Sequence, residues 1–580
     1  MIELKEFSYG FPNKDLYDKV SFTLELGQSC AFIGSSGCGK STLAEILMDP
    51  ERYMFEGKLL IEEGTSIAYV SQFYDVDKSK TISVFEYIAE GFVAVENELA
   101  EVCAKMGTVD EVDETLMDAY QEVMNRFDAM ECGDYISNIE KKLALADMVN
   151  KRDLDLSKLS GGEFKLIQVI KQMLYKPDLL IMDEPDSFLD FDNLNSLKHL
   201  INSYKGTTLT ITHSRYLLNH CFNKIIHLEN KDIQEFDGRY IEYNFELLEK
   251  KIELQELSFK DDEEIARNEA LIKRLRDKAS NYDSAANGKS LKARVKIQER
   301  LQARRIKSPF VSIRKPEVNF VAADVLEEGT ALEVNGFNLS FAEDILEDVS
   351  FTIGSKDKVG IIGANGAGKT SLIRAIYANQ DEAITIPDTT NLLYLSQNKE
   401  DTFAGEQDIY DAFLDLDFAT YTEVSEYLSK FGFPEEKMTQ KIGSLSGGEK
   451  NILGLAKLST LQSNLLILDE PTSHLDTYAQ IALEEAIANY EGAVLMISHD
   501  FYSIVNCLDY VLIIEDKQIR KMKMKKFKRM IYGKHFEKEY LEKEKMKKEA
   551  EVKVETALLA KDFEKAKVLA EDLATIIEGM

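Results

Sequence analysis

Gly34–Ser41 reads GSSGCGKS, and Gly363–Thr370 reads GANGAGKT. Both fit the phosphate-loop pattern GxxxxGK[ST]. Each follows a short apolar strand pattern, SCAFI or KVGII, and each opens a helical one, TLAEILM or SLIRAIY. That strand, loop and helix context separates a working phosphate loop from a chance match. Glycines let backbone N–H groups wrap a triphosphate without side-chain clashes, and the following helix turns its positive dipole end toward it. The first loop offers Gly34, Ser35, Gly37, Gly39, Lys40, Ser41 and Thr42 as nucleotide contacts. The second offers Gly363, Asn365, Gly366, Gly368, Lys369, Thr370 and Ser371. Lys40 and Lys369 would reach the β and γ phosphates of ATP, and Ser41 and Thr370 would ligand Mg²⁺.

The repetition extends outward from the loops. Leu159–Glu163, LSGGE, recurs as Leu445–Glu449, and LLIMDEP, ending at Pro185, recurs as LLILDEP, ending at Pro471. The apolar runs read as buried parallel strands. Each ends in a carboxylate pair, Asp183-Glu184 or Asp469-Glu470. The first acid of a pair suits a hydrated Mg²⁺, and the second suits the orientation and deprotonation of a water. Gln72 in AYVSQ and Gln397 in LYLSQ follow strands and can reach the metal and the water. His213 in TITHS and His499 in MISHD stand at strand ends, where an imidazole can meet the γ phosphate. Asp190 and Asp476 close the segments DSFLD and TSHLD. The expected catalytic residues are Glu184, Glu470, His213 and His499. The expected Mg²⁺ ligands are Ser41, Gln72, Asp183, Thr370, Gln397 and Asp469. The fold class is α/β, with two P-loop nucleotide-binding domains.

Composition bounds the rest. A chain of 580 residues is too long for one core and divides into several units. Its N-terminus, MIELKEFSYG, lacks the basic and apolar regions of a signal peptide. Its longest apolar runs fall short of the ~18 residues of a membrane span. The six cysteines form no CxxC pair. These features predict a soluble, cytoplasmic protein. A formal net charge of −32 discourages general binding to polyanions, so any nucleic-acid contact must use a local patch.

The two sets of motifs resemble the ATP-binding cassette superfamily, over residues 1–243 and 331–520. The resemblance implies two cassettes joined head to tail with two ATP molecules between them, each held by one P-loop and the opposite LSGGE signature. Ser160 and Gly162 begin one helical pattern, and Ser446 and Gly448 begin the other. Each therefore offers N–H donors and a dipole end to a phosphate. Lys40, Gln72, Glu184 and His213 pair on this view with Ser446 and Gly448. Lys369, Gln397, Glu470 and His499 pair with Ser160 and Gly162. Tyr9 and Phe341 stand where the superfamily has an adenine-stacking aromatic.

Fused cassettes with a charged linker and no membrane segment resemble the ABC-F family. Its members act on the ribosome as translation factors or as antibiotic-resistance proteins. The second half, with LSGGEK and PTSHLD, is close to the family pattern. The first half departs, with Asp186-Ser187-Phe188 where a Thr-Asn-His type is usual and Ser214-Arg215 where Asp usually follows the His. The expected domains are a first cassette at 1–243, with a helical or arm-like region at 88–150, and a basic helical-hairpin linker at 244–322. A second cassette at 323–520 and a basic, then charged, helical extension at 521–580 follow.

The linker explains how an acidic chain could hold RNA. Between Arg267 and Lys315 stand fifteen Lys or Arg against four acids. Concentration of one sign reads as a phosphate-binding device. A polar run over 244–279, breakers in SNYDSAANG and a second run to about 307 predict two antiparallel helices, the first on the order of 50 Å long. Lys289, Lys292, Arg294, Lys296, Arg300, Arg304 and Arg305 are the candidate RNA contacts. The family resemblance makes the partner the 70S ribosome: the closed, ATP-bound protein would insert this hairpin near the E site, 23S rRNA and the P-site tRNA, and hydrolysis would release it. A short tip favours a translation factor over drug resistance. Eighty-eight positions separate Gln72 from Ser160, against forty-nine between Gln397 and Ser446. The excess fits either an arm that meets a ribosomal protein or an elaborated helical subdomain. The tail suggests a short hairpin around Ala560–Ala566, with a solvated coiled coil as the plainer reading. A monomer with cassette pairing inside one chain is expected. A DNA-associated tandem-cassette ATPase and the ATPase subunit of a transporter with a separate membrane chain remain the alternatives.

Overall fold

The computed structural model describes residues 2–579 except 13, 73–81, 109–112, 188, 282–293, 298–314, 324–328, 342–343, 397–402, 404, 415, 417, 419 and 536–539. The chain forms two compact units, Met1–Asp237 with Arg314–Ile531, and Gly238–Ile313 with Tyr532–Met580. Among the described residues no helix is long and apolar enough to cross a membrane.

Both P-loop domains lie in the first unit. In the first half, one sheet runs Ile67–Val70, Leu179–Asp183, Thr207–Ile211, Ser29–Gly34, Lys224–Glu229 and Asp232–Asp237. Neighbours are parallel except for the last, antiparallel pair. The second half repeats the order as Leu392–Leu395, Leu465–Asp469, Ala493–Ile497, Lys358–Ile362, Tyr510–Glu515 and Gln518–Lys523. Every residue of Leu179–Asp183 and Leu465–Asp469 is buried, as the continuous apolar runs predict for strands covered on both faces. Three strands therefore stand side by side, ending in the acid pair, the histidine and the P-loop. Their C-terminal ends open where ligands bind in open α/β sheets. A three-stranded antiparallel sheet flanks each half, built around Ile2–Phe11 in one and Thr330–Ser340 in the other.

The extra residues of the first half form the helices Val84–Met106, Glu114–Ala129 and Tyr135–Leu145. Phe92 stacks on Tyr135 at 5.1 Å and meets Tyr175 edge-on at 5.3 Å, while Tyr175 OH accepts from Gly91 N at 3.0 Å. Ile88, Phe92, Ile139 and Leu143 are buried. The region is thus helical and holds a small core of its own, which both an arm and a helical subdomain allow.

The boundary expected at 521 moves. Strand Gln518–Lys523 closes the second sheet, and helix Met524–His535 continues it. Met522, Met524, Phe527 and Ile531 are buried between exposed lysines. The basic segment is thus the edge of the second P-loop domain, its apolar positions hidden in sequence by the charges between them.

The second unit is helical. Its linker helix spans Tyr240–Asn281, 42 residues, or ~63 Å at 1.5 Å per residue. Residues 294–297 are helical too, and the buried Asn268 donates from Nδ2 to the Arg294 carbonyl at 3.1 Å, tying the two arms together. The tail helices Tyr540–Leu559 and Phe563–Glu578 pack on each other and on the linker helix. Ile252 shares a core with Val554, Ala557, Leu558, Ala566 and Ala570, and Ile241 shares one with Ala550, Leu573 and Ile577. The solvated coiled coil is therefore corrected: the tail is a hairpin that covers the linker helix. Its apolar residues at 566, 570, 573 and 577 follow a helical period diluted by charge.

Candidate functional site

Each P-loop leads from its central strand into a helix that starts at the loop lysine, Lys40–Met48 or Lys369–Ala378. Both lysines are buried and folded onto their loops. Lys40 Nζ donates to the carbonyls of Gly34 and Ser35 at 2.9 and 3.0 Å, and Lys369 Nζ to those of Gly363 and Ala364 at 2.8 and 2.9 Å. Burial pulls the Lys369 ammonium below its usual range, while Glu470, Asp190 and Asp469 pull it back up.

The signatures face the opposite loops. Ser160 and Ser446 each cap a helix, Gly161–Leu174 and Gly447–Leu458, in a capping box with Glu163 or Glu449. Gly37 adopts φ +73, and a Cβ there would lie 2.9 Å from the Glu449 carboxylate. A Cβ on Gly448 would lie 2.5 Å from Ser36 Oγ and 2.4 Å from the His474 carbonyl. Only glycine permits that approach of one half to the other. On the other side, a cavity of about 630 Å³ is lined by Ser160, Gly162, Asn365, Gly366, Gly368, Lys369, Thr370, Ser371, Glu470 and His499, and it reaches Glu184 and His213. Its size falls within the ~300–1,000 Å³ of small-molecule sites. Asp190 and Asp476 knit the halves together. Each caps its own next helix through Oδ1, with Asn193 N at 3.0 Å or Ala479 N at 2.9 Å. Each accepts through Oδ2 from the opposite P-loop, Asn365 N or Ser36 N, at 3.4 Å.

The acid pairs differ in their surroundings. Tyr69 OH donates to Asp183 Oδ2 at 3.1 Å, and Thr370 Oγ1 donates to Asp469 Oδ1 at 3.3 Å. Burial raises the Asp183 carboxyl above its usual range, Ser41, Tyr69 and Lys40 lower it, and Glu184 raises it further. Asp183 Oδ1 is buried with no hydrogen-bond partner among the described residues. An orphaned carboxylate oxygen beside Ser41 fits a hard cation such as Mg²⁺. Burial also pushes Glu184 up, but the hydrogen bond and charge of His474, with His213 and Lys40, outweigh it and bring it to about 2. Glu184 is therefore ionised at neutral pH. Burial, with the charges of Lys40 and His474, pushes His213 down to about 3 against the pull of Glu184, so its imidazole is neutral. In the other half His499 N and Nε2 lie 3.3 and 3.4 Å from the Glu470 carboxylate. A carboxylate at each strand end, Glu184 or Glu470, stands where it can orient and deprotonate a water once a γ phosphate lies opposite.

Not every sequence-predicted residue gathers here. Tyr9 lies in an aromatic group with Tyr53 at 5.8 Å and Phe11 at 5.7 Å. Phe341 is exposed at a strand end. Gln397 lies outside the described residues, as do Lys289, Lys292, Arg300, Arg304 and Arg305 of the linker. Arg294 and Lys296 are exposed, and Arg294 Nη1 is 3.5 Å from Asn268 Oδ1.

Three residues that bear on the site escaped the sequence reading. His474, in TSHLD, reaches across to Glu184 at 2.7 Å. Arg215 crosses the same seam to Asp500 at 2.7 Å and to Glu484, with its guanidinium 4.9 Å from the Tyr502 ring. Lys165, on the first signature helix, donates to the carbonyls of Ser71 and Gln72 and so fixes the backbone that carries Gln72. The mismatch between DSFLD and TSHLD was the available signal for the first.

The profile of the family described as "ABC transporter" matches residues 17–187 and 346–473. The Uncharacterized ABC transporter ATP-binding protein YfmM of Bacillus subtilis is 27% identical over 518 residues, covering 87% of this chain and 96% of its own. The Energy-dependent translational throttle protein EttA of Haemophilus influenzae is 28% identical over 515 residues, covering 86% and 89%. Among solved structures, the complex of archaeal ribosomal stalk protein aP1 and archaeal ribosome recycling factor aABCE1 aligns with a TM-score of 0.53 at 16% identity. The alignment covers 91% of this chain and 92% of that one and bears on the fold alone.

Proposed function

The chain belongs to the ATP-binding cassette family, in its ABC-F branch of tandem cassettes, and we propose that it is an ATPase that works on the ribosome. It hydrolyses ATP. Each ATP lies between one cassette's P-loop and the other's signature, so binding draws the cassettes together. Glu184 and Glu470 each hold and deprotonate the attacking water, and His213 and His499 meet the γ phosphate. Ser41, Gln72 and Asp183, with Thr370, Gln397 and Asp469 in the other site, would hold Mg²⁺, which supplies charge neutralisation of the β and γ phosphates. Adenine would stack on Tyr9 and Phe341.

The partner follows from the linker. In the closed, ATP-bound state its basic hairpin would enter near the E site and contact 23S rRNA and the P-site tRNA, and hydrolysis would release the protein. The cytoplasm is the compartment this implies. The observation that carries the reading is the excess of fifteen cations over four acids between Arg267 and Lys315, in a chain of net charge −32. A relative named a translational throttle supports it, and the short tip favours a translation factor over protection against antibiotics. The DNA-bound alternative loses its main motive, because the tail hairpin is engaged with the linker helix.

Co-sedimentation with 70S ribosomes tests the reading. The Glu184→Gln, Glu470→Gln protein should be captured with ATP and not with ADP. Neutralising Arg294, Lys296, Arg304 and Arg305 should weaken that capture. Failure to sediment with either nucleotide would overturn the ribosomal reading and leave the ATPase assignment standing.

A further inference from the structure

His474 stands where motifs of both cassettes meet. Its Nδ1 lies 2.7 Å from Glu184 Oε2, and Gln72 Nε2 donates to that same oxygen at 2.7 Å. Its carbonyl accepts from Ser36 Oγ of the first P-loop at 3.2 Å. The second signature rests on it, since Gly448 has no room for a Cβ beneath the His474 carbonyl. With its proton on Nδ1, His474 donates to that carboxylate oxygen as Gln72 does. Both donors end on Oε2, and among the described residues no hydrogen bond reaches Oε1. That leaves Oε1 as the oxygen to meet a water.

The loop around His474 is built to hold it. His474 has φ +59, a left-handed conformation that His tolerates better than most side chains. Such backbone persists where its surroundings over-determine it. Here the buried Asn451 donates to the carbonyls of Pro471 and Ser473 at 2.7 and 2.9 Å, and Gln480 donates to that of Leu475 at 3.0 Å. The first cassette's sequence differs at this point. The position matching His474 is Phe188, whose side chain has no hydrogen to give. Glu470 is met instead by His499 of its own cassette.

We propose that His474 is a positioning residue for hydrolysis at the first P-loop only: carried on the second cassette, it holds Glu184 in the water-activating orientation across the interface. The two sites are then controlled differently. Glu184 is fully positioned only when the second cassette is seated against the first P-loop, whereas Glu470 is positioned from within its own cassette. The inference rests on the reading of Glu184 as the acid that activates water.

Single-turnover hydrolysis of bound ATP tests it, with the full chain carrying Glu470→Gln to report the first site or Glu184→Gln to report the second. His474→Phe, which copies the first cassette's motif, should slow the first site about tenfold or more while ATP affinity stays within about twofold. The second site should keep its rate within about twofold. His474→Asn keeps a donor and suits the backbone, and it should retain most of the first-site rate. Thermal unfolding checks each variant, and His474→Ala replaces the Phe variant if that one does not fold. An equal loss at both sites, no loss at the first, or a faster first site would each overturn the proposal. A Glu184→Gln protein with an undiminished first-site rate would instead overturn the reading of the acid.

Discussion

Arg215 carries a full charge into the seam between the cassettes. Its side chain is 11% exposed, and it is met there by Glu484, Asp500 and, at 3.5 Å, Ser503 Oγ. Burial disfavours the cation, but the two carboxylates outweigh it and raise its pKa. Arg215→Met would leave two acids desolvated without their partner, which costs about 3–5 kcal/mol in such clusters. We expect a large fall in the melting temperature, with partial recovery when Glu484→Gln and Asp500→Asn are added. Asp186 predicts a pH effect. Burial first, then Glu184, lifts its carboxyl to about 6, against the Thr212 hydroxyl that donates to it at 2.6 Å and the charge of Lys165. A raised acid binds its proton more tightly folded than unfolded, so stability falls as pH rises from about 4 to about 6. The loss is on the order of 1–2 kcal/mol, since the group also faces the cavity. Asp186→Asn should flatten that part of the curve and raise stability at pH 7, as thermal unfolding across pH would register.

Elements differed in how openly the sequence declared them. The phosphate loops and signature helices were legible because residue type carries the geometry: Gly where backbones close on each other, Lys for phosphate, Ser with Glu three positions on for a capping box. The acid-bearing strands were legible as unbroken apolar runs. His474 and Arg215 were not, because their partners lie 290 and 285 positions away. No local period encodes which side chain of one half meets which of the other. The tail's hairpin was suggested, but its packing was hidden for a different reason: lysines and glutamates surround a narrow apolar stripe, and its partner helix lies hundreds of residues earlier. That packing is testable. Leu573 is 1% exposed in the core it shares with Ile241. Leu573→Ala should cost about 2–5 kcal/mol in that unit. Amide exchange along 241–252 of the linker helix should quicken with it, while the sheets of the cassettes keep their protection.

At the scale of the whole molecule, charge is divided rather than spread. A chain of net charge −32 disfavours general contact with phosphate, so the proposed attachment to RNA would be local and sensitive to salt. Replacing Arg294, Lys296, Arg304 and Arg305 by Gln should flatten the log–log dependence of ribosome binding on salt by about 3–4 units. An unchanged slope would show that these side chains do not neutralise phosphates. The fusion of both cassettes in one polypeptide has a consequence for symmetry. In a pair of identical subunits, every substitution appears at both sites at once. Here the histidine at 474 and the phenylalanine at 188 are separate choices, as are the arginine at 215 and the phenylalanine at 501. The repeat survives in the strand order of the sheets and is broken in the side chains between them. A substitution on one side of that seam therefore alters the surroundings of one P-loop and leaves the other's as they were.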